Sequence, residues 1–265
     1  MDKISVLRNF SIIVFSILVC HSARGQADSH PDQGPCTDAS LKLVSQHLKI
    51  KEINFGDDSH SDVNNDVIAS TCKRWPSDKS LMIVSFAYTS EVEYQKHLVV
   101  SLVDTAKTKV VASYKGVIGE DAILTIGAGS LRLDTARYDL GPGIRAFGLD
   151  FSTVYSQGCV DGGLGPTRTL FVREGETIRP VLEGLYLSTW TFIKGGPSCA
   201  SGDREIVIET TSYAMSILNT VSNGFRDLRI TAISSVDNDK KSPKRPVVYR
   251  LKYNGKAYPA EHIGL

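Results

Sequence analysis

Hydrophobic and polar residues alternate in short segments over most of the chain. Apolar segments such as Leu81 to Ala87, Leu98 to Val103 and Val110 to Tyr114 are separated by polar turns, and about a dozen occur before the C-terminus. The pair Asn254-Gly255 is typical of a hairpin turn. This pattern of short apolar segments and polar turns predicts a mainly β fold, either an antiparallel β-sandwich or a set of partial propeller-like sheets.

The pattern is different before this β-rich part. Residues 26–35 are polar and contain proline, which predicts a spacer. Leu41, Val44 and Leu48 then recur at helical spacing behind a capping residue at Thr37 or Asp38. We therefore expect a polar spacer and a short helical segment over residues 26–75.

The segment between this helix and the β-rich part is polar at residues 54–66. The short apolar stretch at 67–70 is interpreted as a further helical turn leading to Cys72. A β-rich domain is expected over residues 76–265.

The first 25 residues have the pattern of an export signal. Basic residues flank an apolar run at 10–19, and small residues around Gly25 suit a signal peptidase. The run is shorter than the roughly 20 residues of a membrane-spanning helix. We expect a signal peptide at 1–25 and a periplasmic or secreted chain without a transmembrane segment; the alternative is a lipid anchor at Cys20.

Four cysteines follow the signal, namely Cys36, Cys72, Cys159 and Cys199. An even number in an oxidising compartment predicts two disulfides, for which three connectivities are possible. Closeness in sequence favours Cys36–Cys72 and Cys159–Cys199. No pair has zinc-knuckle spacing, so we expect no metal there.

The charge of the chain is nearly balanced. The formal net charge is +1 for the full sequence and −1 without residues 1–25. Such a balance provides no long-range attraction to nucleic acid, and we expect none as a partner. Zinc, calcium, P-loop, dinucleotide and G-x-S-x-G signatures are missing from the sequence, so no cofactor is expected.

The stretch "CVDGGLGPTR" at 159–168 concentrates glycine beside a cysteine and an arginine. Its spacing does not match a phosphate-binding loop, and the cysteine is expected to be disulfide-bonded rather than nucleophilic. The glycines are therefore interpreted as backbone turns. If this loop binds a ligand, Arg168 is the expected anion contact.

Aromatic residues provide the candidate binding positions. Strand alternation in "LYLSTWTF" places Tyr186, Trp190 and Phe192 on one face, which is either core or a platform for sugar rings or a protein. Trp75 lies near Cys72 and has the same two interpretations, with packing over the disulfide as its expected role.

Several segments resemble known groups of proteins. The stretches "YDLGPGIRAFGLDF", "TLFVREGETIRPVL" and "CKRWP" resemble an uncharacterised family of secreted bacterial β-rich proteins over roughly residues 70–260. The tail "GFRDLRITAISS…VVYRLKYNGKAYP" is similar to the strand–loop–strand units of FG-GAP or VCBS-type β-repeats. The first resemblance implies no particular activity. In the second, only Asp237-Asn238-Asp239 corresponds to the calcium loop of such repeats.

Three classes of function follow from these features. The leading hypothesis is an exported, non-enzymatic binding or interaction protein of the bacterial envelope, with another envelope or secreted protein as partner. A carbohydrate-binding module that uses Trp190, Tyr186 and Trp75 is the first alternative. The second is a hydrolase whose dispersed site includes His97 and a carboxylate.

Overall fold

The computed structural model describes residues 33–51, 53–54, 66–121, 124–155, 160–196, 205–237, 245–261 and 263. Within them lie one helix and sixteen strands: α1 (Asp38–His47), β1 (Gln33–Gly34), β2 (Val67–Arg74), β3 (Leu81–Thr89), β4 (Gln95–Asp104), β5 (Lys109–Gly119), β6 (Leu124–Thr125), β7 (Leu131–Gly141), β8 (Ile144–Phe151), β9 (Val154–Tyr155), β10 (Gly162–Leu164), β11 (Thr167–Glu174), β12 (Thr177–Tyr186), β13 (Ser188–Lys194), β14 (Val207–Ser222), β15 (Phe225–Val236) and β16 (Val247–Leu251).

The largest sheet has nine strands in the order β1-β2-β3-β4-β5-β12-β11-β8-β7. All its strand pairs are antiparallel except β5 and β12, which are parallel. Alternate residues of its strands meet in one buried cluster, which includes Ile83, Leu102, Phe147 and Phe171. Because all the longer strands of the sheet contribute to this cluster, the sheet curls around it as a nearly closed barrel.

A side chain helps to close the barrel. In the amide orientation that satisfies both partners, Gln33 donates to the Leu133 carbonyl at 3.0 Å and accepts from the Leu133 amide at 2.9 Å. These two bonds imitate the pairing of a backbone strand. They join the β1 edge of the sheet to β7, the strand at its other edge.

The helix covers one side of the barrel. Leu41 and Val44, at helical spacing, pack on outward-facing residues that include Phe86 and Val99. Thr37 caps the helix by accepting from the Ser40 amide, as expected.

The disulfide Cys36–Cys72 links the residue before this cap to β2. The expected Cys36–Cys72 cross-link is therefore confirmed, whereas Cys159 and Cys199 lie outside the described residues.

A second sheet covers the other side of the barrel. It has five strands in the order β10-β13-β14-β15-β16. Leu228 and Ile230 of this sheet pack against outward-facing Leu170 and Val172 of the barrel. A third sheet pairs only β6 with β9.

The mainly β fold with a short helical segment is confirmed. The layered packing typical of a sandwich occurs where the five-stranded sheet lies on the barrel wall. The helical turn predicted at 67–70 is wrong, because these residues begin β2 and pair with β3. Among the described residues, no helix has the length and apolarity needed to cross a membrane.

Candidate functional site

The barrel is open at the end where β5, β8 and β12 finish and β11 begins. A cavity of about 540 Å³ enters the barrel there, and we call it the barrel mouth. Its floor and inner wall are largely apolar and include Leu98, Tyr114, Leu149, Phe151 and Phe171. The volume lies within the range of small-molecule sites, which are concave and mostly apolar.

A β-bulge shapes one wall of the barrel mouth. Between β11 and β12, Arg168 pairs with Leu185 and Leu170 with Leu182, so Glu183 and Gly184 together lie opposite Thr169. Gly184 has φ +66°, a conformation that favours glycine. The bulge therefore places Glu183 at the rim of the cavity. Thr169 contributes its hydroxyl-bearing side chain to the wall.

Carboxylates lie at the rim of the barrel mouth. Glu120 forms an ion pair with Lys96 at 2.8 Å and accepts from the Ile126 amide at 2.7 Å. Burial raises the pKa of the Tyr114 phenol, and the negative charge of Glu183 raises it further. The barrel mouth therefore combines an apolar floor with carboxylates at its rim, of which Glu120 is neutralised by Lys96.

Arg168 does not point to solvent; it is buried within a charged network. Its Nε donates to Asp150 Oδ1 at 2.6 Å and its Nη2 to Asp150 Oδ2 at 2.9 Å, while Nη1 donates to the Tyr138 hydroxyl at 2.7 Å. Asp134 lies 2.6 Å from the same guanidinium. The protein's own carboxylates thus take the place of the anion that Arg168 was expected to contact.

The same network shifts the pKa values of its members. Burial would raise the pKa of Asp134, but hydrogen bonds from Tyr138 and the Ala136 amide, with the charge of Arg168, lower it overall. Burial and the bond to Asp134 raise the pKa of Tyr138. Asp134 is therefore held as a carboxylate and Tyr138 as a neutral phenol.

The glycines of the 159–168 stretch permit close contact between strands. A Cβ on Gly163 would lie 2.2 Å from Trp190 Nε1, and one on Gly162 would lie 2.7 Å from the Trp190 carbonyl oxygen. Both glycines belong to β10, which pairs with β13. Their role is structural, as expected. Glycine is required there because β10 approaches Trp190 closely, and not because the chain turns.

Tyr186 and Trp190 are separated by the fold. The continuous strand expected over "LYLSTWTF" is wrong, because β12 ends at Tyr186 and β13 begins at Ser188 in the other sheet. Tyr186 lines the barrel mouth. Trp190 instead lies on the five-stranded sheet, with its ring centroid 5.2 Å from that of Phe192.

Trp75 belongs to the barrel interior. It is 7% exposed and meets Phe147 edge to face at a centroid distance of 5.2 Å. Cys36 and Cys72 pack instead in the cluster beneath the helix, so Trp75 does not have the expected place over the disulfide.

His97 lies on the outer face of β4 and stacks on Tyr88 at 4.8 Å between ring centroids. It does not line the barrel mouth. In the part of the chain that the structure describes, no group of three or more His, Cys, Asp or Glu residues is arranged to hold a metal ion.

Sequence reasoning named one residue of the barrel mouth, Tyr186, and missed the others. Tyr114 and Thr169 lie in strands that the alternation predicted, and Glu183 directly follows one. Which strands face each other across a cavity, however, depends on barrel closure. No family model, curated protein or solved structure matches the chain.

Proposed function

We propose that the chain is an exported, non-enzymatic binding protein that holds a small, largely apolar ligand in the barrel mouth. The single observation that carries this proposal is the cavity of about 540 Å³ between the apolar interior and the carboxylate rim. Its concave form suits a small molecule better than a protein partner, because protein interfaces bury broad and flatter surfaces.

The disulfide supports the extracytoplasmic part of the proposal. Cys36 and Cys72 are bonded to each other, and such bonds are rare where cytosolic reductants keep thiols reduced. The expected signal peptide at 1–25 agrees with this location but lies outside the described residues.

The lining of the barrel mouth defines the ligand chemistry. Burial of apolar ligand surface against Leu149, Phe151 and Phe171 is favourable by roughly 25 cal/mol per Å². Thr167 and Thr169 provide hydroxyl groups that can orient a polar substituent. The Glu183 carboxylate at the rim disfavours an anionic ligand, so a neutral or cationic molecule fits best.

A neutral fluorescent probe tests this proposal directly. N-phenyl-1-naphthylamine gains fluorescence when it leaves water for an apolar site, and we expect saturable binding to the purified mature protein. Thr169→Phe adds an aromatic ring to the cavity wall and should weaken binding of the probe at least tenfold.

Ser212→Phe is the matched control, since Ser212 is exposed on the five-stranded sheet. It should bind the probe as the unchanged protein does. Equal affinities for the two variants, or no saturable binding to any of the three proteins, would reject the barrel mouth as the site.

A second candidate function, carbohydrate binding, is favoured by the surface around Trp190. Trp190 and Phe192 lie on the face of the five-stranded sheet that points away from the barrel, in register with Thr210 and Ile208 of β14. Both rings are only half-buried, and neighbouring Ser212 is exposed. Aromatic rings beside hydroxyl groups on an uncovered sheet face suit the apolar face of a sugar ring.

Tryptophan fluorescence separates this candidate from the first. Trp75 is buried and Trp190 is not, so glycan binding should change the emission of the Trp75→Phe variant and leave that of Trp190→Phe unchanged. A glycan panel that changes neither emission would remove carbohydrate binding, and it would leave the naphthylamine result unaffected.

A further inference from the structure

The opposite end of the barrel is lined by arginines. A cleft of about 760 Å³ lies where β7 and β11 finish and β8 begins, and we call it the arginine cleft. It contains four arginines, namely Arg137, Arg145, Arg173 and Arg226. None of them belongs to the barrel mouth, so the two cavities are separate sites.

The register of the sheet explains how two of these arginines come together. Arg145 pairs with Asp139 across the β7–β8 hairpin. Phe171 pairs with Phe147 between β11 and β8. Arg173 and Arg145 lie two residues further toward the cleft on these strands, on the same face as the two phenylalanines. Both phenylalanines belong to the barrel interior, so Arg145 and Arg173 occupy adjacent inward-facing positions at its end.

Like charges on neighbouring strands repel each other unless another group compensates them. Two carboxylates, Asp78 and Asp139, line the cleft, and neither forms an ion pair with Arg145, Arg173 or Arg226. Asp139 accepts from Arg137 Nε at 2.8 Å, and Asp78 accepts from the amide and hydroxyl of Ser80 at 3.0 and 2.6 Å. The side chains of the cleft therefore carry an excess of two positive charges.

Three of the arginines have no ion-pair partner among the described residues, and these are Arg145, Arg173 and Arg226. Arg145 donates to the Thr135 carbonyl at 3.2 Å and Arg173 to the Gly175 carbonyl at 2.8 Å. A guanidinium has five N–H donors, so each of these arginines keeps donors for a further acceptor. The two carbonyl bonds hold the guanidinium groups in place without neutralising them.

We propose that the arginine cleft binds a small ligand carrying two or more oxyanion groups. Guanidinium forks match carboxylate and phosphate oxygens in paired hydrogen bonds, and several such groups are needed to engage arginines on different strands. The cleft is larger than one inorganic phosphate requires. Its volume suits a small metabolite or one unit of an oligosaccharide. Trp75 forms part of the wall beside the arginines.

Calorimetric titration of the mature protein at low ionic strength tests the site with inorganic tripolyphosphate and with citrate. We expect saturable binding of at least one of them, at least tenfold tighter than binding of inorganic phosphate, and weakened by added NaCl. Tighter binding of tripolyphosphate would assign a phosphorylated ligand, and tighter binding of citrate a carboxylated one.

The double variant Arg145→Gln/Arg173→Gln should weaken binding at least tenfold. The matched control is Lys107→Gln/Arg229→Gln, which removes two positive charges from exposed positions outside the cleft. Arg226→Gln alone serves if the first double variant does not fold, and it should weaken binding several-fold.

Equal weakening by the control and cleft variants would show unspecific attraction and overturn the proposal. An absence of saturable binding up to millimolar tripolyphosphate and citrate would also overturn it. Naphthylamine binding at the barrel mouth should be the same in all these variants, so the outcome is independent of the function proposed above.

Discussion

Arg168 and Asp150 are joined by two hydrogen bonds of 2.6 and 2.9 Å between the guanidinium and both carboxylate oxygens. They are register partners on β11 and β8, and Asp150 is 1% exposed. Arg132 on β7 reaches the same carboxylate at 2.6 Å from the other side. The pair thus links three neighbouring strands of the barrel wall by side chains as well as by backbone.

Removal of the Arg168 charge is expected to destabilise the fold strongly. Arg168→Met leaves the Asp150 and Asp134 carboxylates in a buried site without their shared cation, which costs about 3–5 kcal/mol. Urea unfolding of the two proteins measures the difference. Arg137→Met, at a side chain that is 83% exposed, should change the free energy of unfolding by less than about 0.5 kcal/mol; losses of equal size would contradict a special role for Arg168.

A methyl group at Gly163 is expected to displace the Trp190 ring. The added Cβ would lie 2.2 Å from Nε1, so Gly163→Ala should move the indole, shift its fluorescence and destabilise the protein by about 1–3 kcal/mol. In a Trp190→Ala background, the same substitution should cost much less, because the clash is gone. Gly129→Ala, where a Cβ meets nothing within 4 Å, is the control.

The Cys36–Cys72 bond is expected to contribute about 4 kcal/mol by restricting the unfolded chain, since it joins residues 36 positions apart. Cys36→Ala/Cys72→Ala should lower the denaturant midpoint accordingly. Peptide mapping without reduction should recover the Cys36 and Cys72 peptides as one linked species. The same map tests the predicted Cys159–Cys199 bond, and four free thiols on denatured, unreduced protein would contradict both pairings.

Stability is expected to fall in acid through Asp227. Burial would raise the pKa of this carboxyl, but hydrogen bonds from Arg250 and two neighbouring hydroxyls lower it to about 2. A carboxyl depressed from about 3.9 stabilises the folded state above that value and loses this contribution as the pH falls toward 2. The stability difference between the unchanged protein and Asp227→Asn should therefore shrink between about pH 5 and pH 2. For exposed Asp237→Asn, the difference should be small throughout, and a constant difference for Asp227→Asn would refute the assignment.

Closure of the barrel is expected to depend on Gln33. Gln33→Ala removes both bonds to the Leu133 backbone, so amide hydrogen exchange at Leu133 should become faster. Gln33→Glu keeps the acceptor for the Leu133 amide and loses only the donor, so its exchange should be intermediate. Unchanged protection at Leu133 in both variants would show that β7 is held without this side chain.

Much of this fold was predictable because it follows from local patterns. Strand alternation, the helical spacing of Leu41 and Val44 and the proximity of Cys36 to Cys72 each depend on nearby residues. The short apolar stretch at 67–70 is too brief to distinguish helix from strand, and its pairing with β3 decides the outcome.

The candidate site was less predictable, because long-range pairing creates it. Arg168 was expected to be an anion contact, but Asp150, which lies on another strand, accepts from its Nε and Nη2. The barrel mouth likewise requires β5, β8, β11 and β12 to meet around one axis, and no local pattern encodes that closure.

The two ends of the barrel are lined by side chains of opposite sign, arginines at one opening and carboxylates at the other. The local charge at the arginine opening therefore favours anions, whereas Glu183 at the other opening disfavours them. Small molecules of opposite charge are thus directed to different ends of one barrel.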